Sequence, residues 1–279
     1  QRDGRGPEIA LKISKSDKDG DPFFSLMLTN EVEVMRKLHS PGVVRILPMT
    51  WERKPNIYFA VALELAGHPP YYAMELLRGP SLEDHVKSVK VMPPGDSAAM
   101  GCSVARTLAD VHREGFAHND IKIDNVVFRQ PLQKGAAFTP VLIDFGVTVK
   151  SKKKDFDGLS PPYAAPEKLE VVVESKPPEH VQDPTKTDIW SLGVTLYQTL
   201  TGELPYEGKN ASGVLTSIRR RRLQAIRNRQ NDVPRGLEEL IVHQCLAENP
   251  AQRPTASLLA EELEKYAHRS GIEKVGRVR

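Results

Sequence analysis

The run His118-Asn119-Asp120-Ile121-Lys122-Ile123-Asp124-Asn125, followed downstream by Asp144-Phe145-Gly146, constrains this chain more than any other feature. It sets a carboxylate, an ammonium, an amide and a second carboxylate in one ordered series. Three further blocks follow in order: Ala165-Pro166-Glu167, Asp188-Ile189-Trp190-Ser191-Leu192-Gly193 and Arg253-Pro254-Thr255. Such a series is not a chance product, and a fold that uses it has to bring separated stretches of the chain to one small cavity.

The 279 residues fit one large or two small domains, and 39% hydrophobic with 27% charged residues is enough for a substantial core. A formal net charge of +3, from 39 basic and 36 acidic residues, is too small to point to nucleic acid. No basic stripe interleaved with aromatics appears either. The best apolar run, Ile57 to Leu63, stops at Glu64, so no transmembrane segment is expected. Cys102 and Cys245 make neither a disulfide framework nor a zinc pattern; two buried thiols are expected, with a single bridge as the alternative. The start at Gln1, without Met or a charged-then-apolar leader, reads as a trimmed or processed segment.

Pro7 to Ser14 reads as a strand. Ser25 to His39 reads as a helix with Leu26, Leu28, Val32, Val34, Met35 and Leu38 in its apolar series. Val43 to Met49, Ile57 to Leu65 and Tyr71 to Leu77 are β-rich, with breaks at Arg53-Lys54-Pro55-Asn56 and Gly67-His68-Pro69-Pro70. Beyond Gly79-Pro80-Ser81 the pattern is helical: Ser97 to Arg113, Asp188 to Thr201, Val214 to Arg229, Leu237 to Glu248 and Ala256 to Tyr266. Lys176 to Thr187, with Pro177, Pro178 and Pro184, reads as a long loop, and His268 to Arg279 as a basic, frayed end.

Moving a phosphoryl group from a magnesium nucleotide to a hydroxyl needs a base for the acceptor, a cation by the transferring group and two oxygen ligands for the metal. Asp120, Lys122, Asn125 and Asp144 supply all four. On these residues and the three later blocks, the chain from Ile9 to Tyr266 resembles the eukaryotic protein kinase superfamily. The resemblance implies an α+β, bilobal protein kinase-like fold. Residues 1–77 would be a small antiparallel β lobe with one helix, lacking the glycine-loop hairpin and carrying an extra segment at about 49–70. Residues 78–268 would be a large, mainly helical lobe, and 269–279 a basic tail. ATP and Mg²⁺ are the implied cofactors, and a protein substrate or scaffold partner the implied company.

By the same resemblance, Lys12 in Ile9-Ala10-Leu11-Lys12-Ile13 pairs with nucleotide phosphates and Glu31 is its salt-bridge partner, leaving Glu33 to solvent. Met74, Glu75 and Leu77 form the adenine hinge, Met74 as gatekeeper, and Ala10 and Val127 sandwich the ring. Asp120 and Lys122 are catalytic, and the lysine two places after the aspartate is the Ser/Thr kinase pattern. Asn125 and Asp144 hold magnesium. Ser160 keeps a hydroxyl able to bond the catalytic aspartate; Glu167 with Arg253, and Asp188 beneath the catalytic loop, are scaffold. Asn119 stands where most kinases carry an arginine that grips an activation-loop phosphate. Although Thr148, Ser151, Ser160 and Tyr163 lie in or near that segment, activity without its phosphorylation is expected.

Only eleven residues precede Lys12, which leaves no room for the usual Gly-x-Gly-x-x-Gly hairpin, and Asp3-Gly4-Arg5-Gly6-Pro7 reads as a turn. Either the chain was trimmed or the family lacks the hairpin. The second account resembles the with-no-Gly-loop kinases secreted by Toxoplasma and related parasites, relatives of the rhoptry kinases, and implies secretion into the parasitophorous vacuole. It also keeps a second function in view, a pseudokinase that binds or scaffolds and handles nucleotide weakly. Arg219-Arg220-Arg221-Arg222 with Arg227 and Arg229 reads either as a dock for an acidic protein or anionic lipid, or as a solvated helix face.

Overall fold

The structure is a computed structural model that describes residues 8–14, 23–51, 54–65, 67–133, 137–150, 159–220 and 223–267. The turn expected at Asp3–Pro7, Arg53, Ser151, Arg221, Arg222 and the tail 269–279 lie outside the described residues.

The small lobe contains strands β1 (Ile9–Ile13), β2 (Ile46–Leu47), β3 (Met49–Trp51), β4 (Lys54–Ile57), β5 (Ala60–Val61) and β6 (Pro70–Glu75), with helix α1 (Phe23–Met35). The sheet runs β1-β6-β2, with β5 also on β6, all antiparallel. Ala10 lies opposite Met74 and Lys12 opposite Tyr72. The two-residue period of a strand therefore sets these four on one face, and Ile9, Leu11 and Ile13 on the other. In α1, Leu28, Val32 and Met35 recur at helical spacing and are buried. Leu26 does not join them and is exposed.

The middle of this lobe departs from the sequence reading. Val43 to Met49 is not one strand: β2 is two residues long, and Met49 opens a separate hairpin, β3 with β4. Lys54-Pro55-Asn56, read as a break, belongs to β4, where a proline is tolerated because the strand has one neighbour only. Of Ile57 to Leu65, only β5 is strand.

The large lobe holds α2 (Leu82–Val89), α3 (Pro94–Arg113), α4 (Pro166–Val173), α5 (Pro184–Thr201), α6 (Ala211–Arg219), α7 (Arg235–Glu239) and α8 (Ala256–Glu264). Four short strands in two antiparallel pairs complete it: β7 (Phe116–Ala117) pairs with β10 (Val149–Lys150), and β8 (Val126–Phe128) with β9 (Pro140–Leu142). Helix α5 is the central post: Trp190, Leu192, Leu196 and Leu200 are fully buried on different sides of it. It begins at Pro184 rather than Asp188, because Asp183 caps the Thr185 N–H and the proline sits in the first turn, where its missing donor costs nothing. Gly202, at φ +75°, ends it.

Two other helices are shorter than their periodicity implied. Helix α6 stops at Arg219, and Ile226–Asn228 forms a separate 3₁₀ turn. Ile226, fully buried, therefore meets the core from that separate turn and not from a continued helix. Helix α7 widens after Glu239 into a π-helical turn, Leu240–Cys245. Cys102 and Cys245 are both buried free thiols. Among the described residues no helix is long and apolar enough to cross a membrane.

Candidate active site

Helix α1 and the Asp144-Phe145-Gly146 segment meet across the lobes through Lys12. Its ammonium donates to both Glu31 oxygens, at 2.9 and 2.7 Å, and to Asp144 Oδ1 at 2.9 Å. Glu31 is 1% exposed, and Glu33 faces solvent as expected. Burial works against the charge of Lys12, yet Glu31 and Asp144 hold its pKa above the ordinary value. Burial likewise opposes ionisation of Asp144, but Lys12 outweighs it and lowers that carboxyl. At Glu31 burial prevails and the pKa rises, despite the pull of Lys12.

Glu31 does more than pair with Lys12. Its Oε1 accepts the Phe145 N–H at 3.0 Å, and the buried Tyr72 stands next to it, its hydroxyl pKa raised by burial and by the Glu31 carboxylate. One residue earlier, Asn30 Nδ2 donates to the Gly146 and Thr148 carbonyls at 3.1 and 3.0 Å. Tyr72 and Asn30 were not read from the sequence. The signal for Tyr72 was present in strand alternation, since it stands opposite Lys12. Asp144 itself lies at φ +64°, and a Cβ on Gly146 would come within 3.4 Å of Asp144 Oδ1 and 3.3 Å of Met27 Cε. The glycine thus lets α1 and the aspartate close on each other.

Beneath this, Asp120 and Lys122 flank one alcohol. Ser160 Oγ donates to Asp120 Oδ1 at 2.7 Å and accepts from Lys122 Nζ at 2.9 Å, while Lys122 also reaches Asp120 Oδ2 at 2.7 Å. Asn125 Nδ2 donates to the Asp120 carbonyl and to Oδ2, both at 2.8 Å, which orients its amide. His118 is fully buried: Nε2–H donates to the Ile143 carbonyl at 3.2 Å and Nδ1 accepts the Asp120 N–H at 3.3 Å. Burial lowers its pKa, in keeping with the neutral ring these contacts require. Its ring lies 4.5 Å from that of Phe145, centroid to centroid.

The loop rests on Asp188, whose carboxylate accepts the His118 and Asn119 N–H groups at 2.9 and 2.8 Å and His112 Nε2 at 2.8 Å. Burial would raise the Asp188 pKa; His112 and the backbone donors bring it below the usual carboxylate range. Glu167 and Arg253 form a doubly bonded pair at 2.7 and 2.9 Å. Lys168, fully buried next to Glu167, reaches the Asn119 carbonyl; the sequence reading passed over it.

At the segment expected to form the hinge, Met74 and Leu77 are partly buried against the core, and Ala10 and Val127 are partly buried from opposite lobes. The Glu75 side chain turns away from Lys12, accepting from the Arg45 N–H at 2.9 Å and from Arg129. Its own N–H donates to the Arg45 carbonyl at 2.9 Å.

Two oxygen donors, on Asn125 and Asp144, are available for a cation. Among the described residues no three His, Cys, Asp or Glu side chains converge to hold a metal ion. That set suits magnesium, which keeps several waters and phosphate oxygens beside one or two protein ligands, and not a metal needing an all-protein cage.

The protein kinase domain family matches residues 2–263, and the chain belongs to that family. It is 28% identical over 275 residues to serine/threonine-protein kinase PkaA of Streptomyces coelicolor, covering 96% of this chain and 44% of that protein. It is also 28% identical over 270 residues to PkaB of the same organism, covering 93% and 58%. Sperm motility kinase Z of Mus musculus is 27% identical over 255 residues, covering 90% and 44%. The chain thus spans about half the length of the curated relatives it matches.

Proposed function

We propose that the chain is the catalytic domain of a Ser/Thr protein kinase that transfers the γ-phosphoryl group of ATP to protein hydroxyls. The observation that carries this reading is Lys12 bonding Glu31 and Asp144 at once, which sets a small-lobe cation over the large-lobe acids. Lys12 would take the nucleotide phosphates, with adenine between Ala10 and Val127 and against the main chain of Met74, Glu75 and Leu77. Asp120 would orient the acceptor hydroxyl, as its Oδ1 accepts the hydrogen bond of the Ser160 hydroxyl, and receive the acceptor's proton, while Lys122 neutralises charge on the transferring group. Asn125 and Asp144 would hold Mg²⁺, which when bound offsets charge on the phosphoryl oxygens.

The names of the relatives support this chemistry. None of those three is a parasite kinase, and the narrower likeness to with-no-Gly-loop kinases, with the secretion it implies, adds nothing to the reading. Little in the geometry favours the basic dock, since Arg219 is paired with Glu170 and Glu174 and Arg229 with Glu203; among the described residues a dock would rest on Arg220 and Arg227.

Incubation with labelled ATP, Mg²⁺ and a generic protein substrate tests the proposal. Wild type transfers label, Asp120→Ala loses about 10²–10⁴-fold, and prior phosphatase treatment changes neither. Label transfer insensitive to Asp120→Ala, or none at all, overturns it and leaves a binding module, graded by nucleotide-induced thermal shift.

A further inference from the structure

The peptide that joins Asn119 to Asp120 is held at both ends. Its N–H, on Asp120, donates to His118 Nδ1 at 3.3 Å. Its carbonyl, on Asn119, accepts from Lys168 Nζ at 3.0 Å, the one hydrogen bond to that oxygen among the described residues. Rotation of this peptide plane changes ψ of Asn119 and φ of Asp120 together, and so swings the carboxylate of Asp120 away from Ser160 and Lys122.

Asn119 needs such a hold. It lies at φ +68°, where a non-glycine residue stays only when its surroundings fix it. Its side chain is incompletely used: Oδ1 accepts from Thr187 Oγ1 at 3.1 Å and lies 3.5 Å from Lys168 Nζ, while Nδ2 is buried without a hydrogen-bond partner among the described residues. The backbone contact from Lys168 is therefore the stronger tie. Lys168 is itself firmly placed, following Glu167 in the first turn of α4, where Arg253 binds both carboxylate oxygens. It is 4% exposed, and burial lowers its pKa against the pull of Asp188, Asp120 and Glu167. A lysine that deep is costly unless its ammonium is put to use.

We infer that Lys168 is a positioning residue for the transfer reaction: its bond to the Asn119 carbonyl fixes the peptide plane from which Asp120 projects. The inference deepens the kinase reading and rests on it for the rate, though not for the order of the loop.

The test compares Lys168→Met, which keeps the stem and removes the donor, with Thr187→Val, which removes the bond to the Asn119 side chain. In Lys168→Met, amide hydrogen exchange of peptides covering 118–125 accelerates about tenfold or more, with α3 and α5 unchanged. Its kcat falls about 10–100-fold while KM for ATP stays within about twofold. Thr187→Val changes each by less than about threefold. Should Lys168→Met fail to fold, Lys168→Gln, which retains an N–H donor on a shorter stem, is measured instead and gives a smaller change in the same sense. Unchanged loop exchange overturns the inference, as does equal acceleration throughout the large lobe, which marks a general packing role. If wild type transfers no phosphate, the kinase reading falls and the exchange comparison alone decides the role of Lys168.

Discussion

Two ion pairs join distant parts of this chain, and they are built for opposite purposes. Arg253 is 0% exposed and makes five hydrogen bonds, two to Glu167 and one each to the carbonyls of Ala247, Lys186 and Glu248. Its guanidinium also lies 5.0 Å over the Trp190 ring. Every donor direction is filled, so no contact is left for a ligand. Lys12 and Asp144 keep 33% and 42% of their side chains exposed, and only Glu31 in that set is sealed. The same charge chemistry is a fixed joint in one lobe and an accessible, half-open arrangement between the lobes. Burial and saturation of the donors, more than the identity of the residues, separate scaffold from site.

The strongest way to break this contrast is Glu167→Gln. It strands a buried guanidinium, and a cost of about 3–5 kcal/mol is expected in denaturant unfolding. Molecules that remain folded should still show a nucleotide-induced thermal shift. A stability loss below about 1 kcal/mol would mean that the large-lobe joint is no more rigid than a surface pair.

Lys12→Met should do the reverse. Phosphotransfer falls about 10²–10³-fold, in the range for loss of one preorganised electrostatic donor, while unfolding free energy drops by only about 1–3 kcal/mol. A mutant that unfolds as readily as Glu167→Gln while its folded fraction stays active would place Lys12 among the scaffold residues.

The smallest effect sharpens the comparison at a third cluster, at the surface. Glu170 accepts from Lys176 at 2.9 Å, His180 at 2.5 Å and Arg219 at 2.9 Å. Burial disfavours its charge, but these three donors outweigh that and hold its pKa at about 2, against an ordinary 4.5. Because the folded value is depressed, its stabilisation is complete above about 4.5 and is lost as pH falls towards about 2. The difference in melting temperature between wild type and Glu170→Gln should therefore narrow across that window and be flat above it. A difference constant from pH 7 to pH 2 would remove Glu170 from the acid response. Solvent screening keeps the effect modest.

The legible part of the molecule was the part written in consecutive residues. The catalytic run, the Asp-Phe-Gly segment and the central helix need only their own neighbours to be recognised, and Glu167 with Arg253 and Asp188 under the loop sit where the motifs placed them. The segment between β2 and β6 was harder, because strands of two to four residues leave too few alternations to separate strand from turn. The arginine run shows another limit. Helix propensity extends α6 on paper, but α6 ends at Arg219 and the fully buried Ile226 meets the core from a separate 3₁₀ turn. Tyr72 and Lys168 were missed for a related reason: each acts on a residue belonging to another element.

What the sequence alone determined is the inventory and its order: which acids, amide and lysines are present, and hence the kinase family. Only the tertiary structure decided their company. Lys12 and Asp144 are 132 positions apart in the chain yet 2.9 Å apart in space, and Lys168 meets a carbonyl 49 positions before it. Periodicity is a property of a single helix or strand. Which groups touch across two elements depends on how their buried faces pack, and that is set by the whole core at once.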